Sequence, residues 1–462
     1  MDSTSELSPL TRRDFVRASG LTLGASALAG ISIPYVHAQG SDQLRIALIG
    51  CGGRGTGAAV NAMAQIGSPK LVAMADVFQQ KLDNSFKSLS AKFESQVDVG
   101  DRKFIGFDGY KHAMDALRPG DIAIFTTPLA FRWVHFKYAI EKGLNVFMEK
   151  PLTADGPTSR RMLDLAKQAS AKNLKVGVGL MSRHSHAMQE LHARIQDGEI
   201  GDINFMRGYR MQGVIGSAFS EPWPGQPSEL LWQISRFHSF LWASGGGFSD
   251  FYVHHVDHLC WLKNAWPVKC QGVGGRTSRI APGGKTYVDQ NFDSYSVEYT
   301  FQDGAKLFMD GRCMNGAVPL YSSYAHGSKG MAVVSKNGDC GRPSSTYKGQ
   351  SPVKENMLWT SPDPKIADDP YFNEWQDLTA AIRNNTPYNE VERGVMASLV
   401  TSMGRYATHT AQEVTLDEML NHEHEYAPDA DKFTMDSPAP VQANANGLYP
   451  VPEPGIKTKR EY

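Results

Sequence analysis

Cysteine is scarce in this chain of 462 residues: Cys51, Cys260, Cys270, Cys313 and Cys340 are all there are, and no C-x-x-C occurs. An odd, scattered set excludes a disulfide framework as the source of stability. Net charge is nearly absent too, at −1, which removes any electrostatic case for nucleic acid or an anionic membrane as partner. Past the leader, no apolar run reaches the ~18 residues of a spanning helix, so the mature protein is expected to be soluble. No H-E-x-x-H pattern marks the histidines as a metal site. What remains is 41% hydrophobic and 21% charged, ordinary for a globular protein and long enough for two or three domains.

The first 38 residues read as an address. Arg12 and Arg13, followed by Asp14, Phe15 and Val16, have the twin-arginine (Tat) pattern. A Gly/Ala-rich apolar run over 21–33 follows, and Val36, His37 and Ala38 offer a signal-peptidase site. A Tat signal over 1–38 is therefore expected, with a periplasmic or otherwise exported mature protein.

Directly after it, residues 44–57 read LRIALIGCGGRGTG. An apolar strand ends on glycine, Gly50, Gly52 and Gly55 fall in the spacing G-x-G-x-x-G, and an alanine-rich helix begins at once. The first glycine makes a tight turn and the second admits a pyrophosphate to the backbone. The third lets helix and strand pack closely, and the helix N-terminal amides hold the phosphates. A second apolar strand, 70–75, ends on Asp76, placed to accept from the ribose hydroxyls of an adenosine. That carboxylate would repel a 2′-phosphate, so NAD is favoured over NADP.

From there to residue 181 short apolar strands alternate with helical segments, which predicts an α/β domain with a parallel sheet covered on both faces. Gly50, Asp76, Pro128 and Lys150 all lie at strand carboxyl ends, where ligands of such sheets collect. Residues 182–426 change character. One helix is followed by long strand-like segments, with Asp303-Gly304 as a hairpin signal. An α+β domain with an open, mainly antiparallel sheet is expected. Between its strands, 212–243 is rich in Trp, Pro and Gly and reads either as an ordered loop over the crevice or as a structural insertion. Residues 427–462 form a proline-rich tail, too poor in apolar residues to fold alone.

Two constellations carry chemistry. Glu149-Lys150-Pro151 places a lysine at the crevice edge, able to reach a substrate hydroxyl. Gly245, Gly246 and Gly247 break the chain before a helix on which Asp250, His254 and Asp257 are spaced i, i+4, i+7, an Asp/His pair suited to acid/base work. His255 stands next to His254, and either histidine could face a substrate.

Together these motifs resemble the glucose–fructose oxidoreductase/inositol dehydrogenase/MocA (Gfo/Idh/MocA) family. The likeness runs from the glycine fingerprint and Asp76 through Thr127, Pro128, His135 and Glu149-Lys150-Pro151. It continues through Gly198-x-Ile200-Gly201 and the Gly245–Gly247 helix to Gly327-Ser328-Lys329-Gly330. The resemblance implies a Rossmann domain with bound NAD or NADP and a second domain whose sheet makes homo-oligomer contacts. It implies a cofactor set of Gly50, Gly52, Gly53, Arg54, Gly55, Asp76, Thr127, Pro128, His135, Glu149 and Lys150. Lys150, Asp250 and His254 are the implied catalytic residues, and these with His255 and Trp242 the candidate substrate contacts. The activity expected is oxidation of a hydroxyl of a sugar, polyol or glycoside with a tightly held, recycled cofactor. The alternatives are an exported, NAD-dependent glycosidase resembling α-N-acetylgalactosaminidases, and a non-catalytic sugar-binding protein.

Overall fold

A computed structural model describes residues 43–340, 343–362 and 368–462. The twin-arginine motif and its cleavage site lie outside the described residues. The first sheet comprises β1 (Arg45–Ile49), β2 (Lys70–Asp76), β3 (Lys103–Ile105), β4 (Ile122–Phe125), β5 (Asn145–Met148) and β6 (Val176–Val178). They lie in the order β3-β2-β1-β4-β5-β6, all parallel. The central strands are nearly continuous apolar runs because both faces are covered. Ile46, Leu48 and Ile124 pack on one side, and Ile49, Ala123 and Phe125 on the other. The chain order reverses between β1 and β4, so a crevice opens at their carboxyl ends.

The helix Pro370–Asn384 returns to this sheet from far down the chain, and its Trp375 stacks on Phe147 at 4.4 Å. The boundary expected after residue 181 thus separates the sheets but not every helix.

The second sheet comprises β7 (Ile203–Gln212), β8 (Lys269–Gly275), β9 (Ser294–Thr300), β10 (Lys306–Cys313), β11 (Leu320–Gly327), β12 (Gly330–Lys336), β13 (Ser345–Lys348), β14 (Met357–Thr360) and β15 (Val414–Thr415). Its order is β14-β13-β12-β11-β7-β10-β9-β8-β15. It is mostly antiparallel, with one exception to the expectation: β7 and β10 run parallel. The excursion between them, containing the insertion, a long helix, β8 and β9, is the crossover that a parallel pair needs. One face, with Val297, Tyr299, Leu307 and Met309, buries against the helices Gly246–Lys263 and Val391–Thr410. Phe205 and Leu320 remain partly exposed. Among the described residues no helix is long and apolar enough to cross a membrane.

Insertion and tail are both ordered against the chain itself. The insertion contains the helix Glu229–Ser235 and a turn at Phe237–Ser239. Gln233 Nε2 donates to the Val441 carbonyl at 2.6 Å, and Tyr449 donates to Glu229 at 2.6 Å while lying against Trp232 and Phe240. The tail ends in a buried ion pair: Glu461 accepts from Arg405 Nε at 2.9 Å and Nη2 at 3.0 Å, and neither side chain is exposed.

Candidate active site

Two cavities meet at the carboxyl ends of β1 and β4. The first is a groove of about 620 Å³. Gly50 and Gly55 shape its floor for steric reasons. Gly50 has φ +94, and a Cβ on it would sit 2.8 Å from the Thr127 nitrogen. A Cβ on Gly55 would sit 2.1 Å from the Gly50 carbonyl oxygen. At Gly52 and Gly53 a Cβ would meet nothing, which leaves an open cradle against the backbone. The helix Gly53–Met63 starts there with no side-chain cap and no acidic residue in its first turn, so its amides are free for an anion. Asp76 stands at the rim, accepting from the amides of Cys51 at 2.6 Å and Phe78 at 2.9 Å. Its burial raises the carboxyl's pKa, and those amides oppose the rise. His135 lies 3.3 Å from Thr127 Oγ1 and 4.5 Å from the Tyr110 ring. Burial, with the charge of Arg132 adding to it, lowers its pKa to about 3 and keeps it neutral.

Residues no local motif pointed to complete this groove. Ile234 and Phe237 come from the insertion, and Ala430, Asp431 and Phe433 from the tail. Phe433 sits 6.1 Å from Phe107, 6.1 Å from Phe131 and 6.2 Å from Trp242, bridging the first domain and the insertion.

The second cavity is a polar chamber of about 400 Å³ sharing Arg54, Thr126, Thr127, Pro128 and Phe237 with the groove. Lys150 is on its wall, after β5, in a cis peptide bond with Pro151. Its Nζ donates to the Asp250 carbonyl at 2.7 Å and lies 3.7 Å from Asp250 Oδ1. Asp250 and His254 enter from the helix Gly246–Lys263, whose start requires glycine: Gly245 and Gly246 have φ +73 and +75, and a Cβ on Gly246 would meet Asn291 Oδ1 at 2.6 Å. Burial alone would raise the Asp250 carboxyl, but Lys150, His238 and His254 hold it well below the usual carboxylate range. His254 is pushed down by burial, with Asp339 opposing, and so is held as a neutral base. Its Nδ1 is sealed, with no hydrogen-bond partner among the described residues, and the residue lines the chamber.

All eleven residues of the expected cofactor set line these two cavities. Glu149 and Lys150 lie in the chamber rather than in the groove. The Arg54 guanidinium pairs with Glu149 and, at 3.2 Å, with Glu374, so it is committed to carboxylates. Two expectations are corrected. His255 has no exposed surface and lines neither cavity; it turns to Tyr321, with Nδ1 3.7 Å from Asp339. Trp242 also lines neither, because it is buried and donates to Gln233 Oε1 at 2.7 Å. Asp257, further along the same helix, lines neither cavity and pairs with Arg183 at 2.7 Å. Sequence reasoning missed His238, Arg210, Asp339 and Tyr371, which line the chamber from the insertion, β7, the segment after β12 and the start of the helix Pro370–Asn384. Arg210 packs 3.9 Å from the Tyr321 ring centroid and 3.4 Å from Asp339, a pairing no local spacing announces.

No protein-family model matches the chain. It is similar to the scyllo-inositol 2-dehydrogenase (NAD(+)) of Bacillus subtilis, 28% identical over 238 residues that make 50% of this chain and 57% of that one. The chain spans about half the length of the curated relatives it matches. Among solved structures it is similar in fold to myo-inositol 2-dehydrogenase from Lactobacillus plantarum, with a TM-score of 0.60 at 21% identity over 81% of this chain and 99% of that one. It is likewise similar to scyllo-inositol dehydrogenase from Lactobacillus casei with bound NAD(H) and scyllo-inositol, at TM-score 0.58 and 19% identity over 81% and 100%.

Proposed function

We propose that the chain is an NAD-dependent oxidoreductase of the Gfo/Idh/MocA type that oxidises a secondary hydroxyl of a polyol or sugar. The observation that carries the reading is the junction of the two cavities. A groove shaped for a dinucleotide shares a wall with a chamber holding Lys150, Asp250 and His254. The names of the inositol dehydrogenases it resembles support the same chemistry. They lend nothing to the glycosidase reading.

NAD would lie over Gly52 and Gly53 with its adenosine ribose at Asp76, and it supplies the hydride acceptor. The protein's own residues do the rest. The Lys150 ammonium hydrogen-bonds the reacting oxygen. His254 Nε2 takes the hydroxyl proton as the carbon–oxygen double bond forms and the C–H electron pair leaves with the hydride. Asp250 keeps the lysine aimed.

The expected export signal adds a constraint, since free nicotinamide cofactor is scarce outside the cytoplasm. The cover from insertion and tail supports a cofactor that stays bound and is recycled. The partly exposed face around Phe205 and Leu320 is the surface proposed for a second copy. Purification without added cofactor, followed by denaturation, should release NAD. The protein should also reduce NAD with myo- or scyllo-inositol or an aldose, and release no nitrophenol from nitrophenyl glycosides. Absence of nicotinamide together with no turnover on any polyol or aldose overturns the reading.

A further inference from the structure

We infer that His238, carried by the insertion over 212–243, is a positioning residue that fixes the Asp250 carboxylate and through it aims Lys150. The inference rests on the oxidoreductase reading. His238 Nε2 lies 3.3 Å from Asp250 Oδ2, while Asp250 Oδ1 faces Lys150 Nζ at 3.7 Å, so the two carboxylate oxygens have separate partners. The tautomer follows from the other ring nitrogen. Nδ1 accepts from the Ser217 amide at 3.3 Å and lies 3.0 Å from Ser217 Oγ. The backbone N–H can only donate, so the ring proton sits on Nε2, the nitrogen nearest Asp250 Oδ2.

The imidazole is also built into place. Gly216 has φ +51, and a Cβ there would stand 2.8 Å from His238 Cε1. The rings of Phe237 and Phe251 flank it, with centroids at 3.8 and 5.2 Å. Asn291 Nδ2 donates to the His238 carbonyl at 2.8 Å, and Asn291 Oδ1 accepts from the Gly247 amide at 2.8 Å. One asparagine therefore sets His238 against the start of the helix that presents Asp250 and His254. Without the imidazole, a buried carboxylate loses half its partners and is free to turn away from Lys150.

His238→Leu removes the donor, and His238→Gln keeps an N–H near Nε2. A hydrogen bond to a charged group corresponds to roughly 10- to 100-fold in rate, and a contact as long as 3.3 Å argues for the low end. With scyllo-inositol and NAD as probes, His238→Leu should lose kcat by that factor with little change in KM, and His238→Gln should recover most of it. Placed on Asp250→Asn, His238→Leu should cost nothing more, because its route is gone. Equal losses in His238→Leu and His238→Gln, or a full extra loss on Asp250→Asn, overturn the inference. If the wild-type protein turns over no polyol, the functional reading falls. The positioning role is then read from the ¹⁵N shifts of labelled histidine: an Nε2–H tautomer of His238 that changes in Asp250→Asn sustains it, and an Nδ1–H tautomer overturns it.

Discussion

Replacing Glu461 by glutamine, one residue from the end of the chain, should destabilise the protein more than any surface charge change. Both Glu461 and Arg405 are fully buried. Arg405 Nε and Nη2 donate to the carboxylate, Tyr426 donates to it as well, and His409 Nδ1 lies 2.8 Å away, too poorly aligned to count as a hydrogen bond. Glutamine keeps the shape but turns an amide donor toward the guanidinium and leaves its charge unpaired. Breaking a buried pair by removing one partner costs about 3–5 kcal/mol, and one retained acceptor argues for the low end. The effect should spread, because the same Arg405 donates to the carbonyls of Gly245 at 3.0 Å and Ala154 at 2.9 Å. The control is Glu453→Gln, which breaks the half-exposed pair with Lys457 and should cost under about 1 kcal/mol.

Urea denaturation of holoprotein compares the two variants. If Glu461→Gln unfolds within about 0.5 kcal/mol of Glu453→Gln, the tail does not anchor the fold as argued. The pH dependence has a definite sign. Burial alone would raise the Glu461 carboxyl, but Arg405 and His409 hold it well below its ordinary value. A depressed folded-state pKa gives stability that is present above the unfolded value, about 4.3, and lost as pH falls below it. The wild type should therefore lose stability more steeply below about pH 4.3 than Glu461→Gln does.

Lys150→Met and His254→Asn should each lower kcat on the accepted polyol by ~10²–10⁴-fold while the protein stays folded with NAD bound; near wild-type turnover in either removes the role given to that residue. Gly55→Ala should yield protein without NAD, measured by nicotinamide release, because its Cβ would stand 2.1 Å from the Gly50 carbonyl oxygen. Asp76→Ser should raise kcat/KM with NADP relative to NAD, since the carboxylate that repels a 2′-phosphate is removed; an unchanged ratio refutes Asp76 as the discriminating group.

Five strands of the first sheet were legible because they are short apolar runs ending on or near glycine, aspartate or proline, a pattern set locally, whereas β3, three residues with none buried, was not. Nor was β11, because its inward Ser323 is polar and Ser322 on the other face is buried as well, which breaks the apolar alternation by which strands are recognised. The glycine cradle, Asp76, Lys150, Asp250 and His254 could be named from spacing, since each follows a turn or shares a helix with its neighbour. His255 could not be separated from His254, because helix phase relative to a cavity is fixed by packing on the second sheet rather than by the helix itself. His238, Arg210 and Asp339 left no trace in the sequence, as their partners lie on segments far apart along the chain.

Insertion and tail are better understood as one part than as two. Neither shows helical or strand periodicity over most of its length, and the tail is too poor in apolar residues to fold alone. They interlock through Gln233 and Val441 and through Tyr449 with Glu229, Trp232 and Phe240. The joined unit covers the groove with Phe237 and Phe433 and puts His238 against Asp250. Its far end is held by Glu461 on Arg405, and Arg405 also grips the Gly245 carbonyl before the helix that carries Asp250 and His254. Lifting the cover to exchange a dinucleotide would therefore disturb the bonds that hold Asp250 and His254 in register. The cover of the groove and the chamber geometry share the same anchors, which suits the proposed recycling of a bound cofactor better than its release at every turnover.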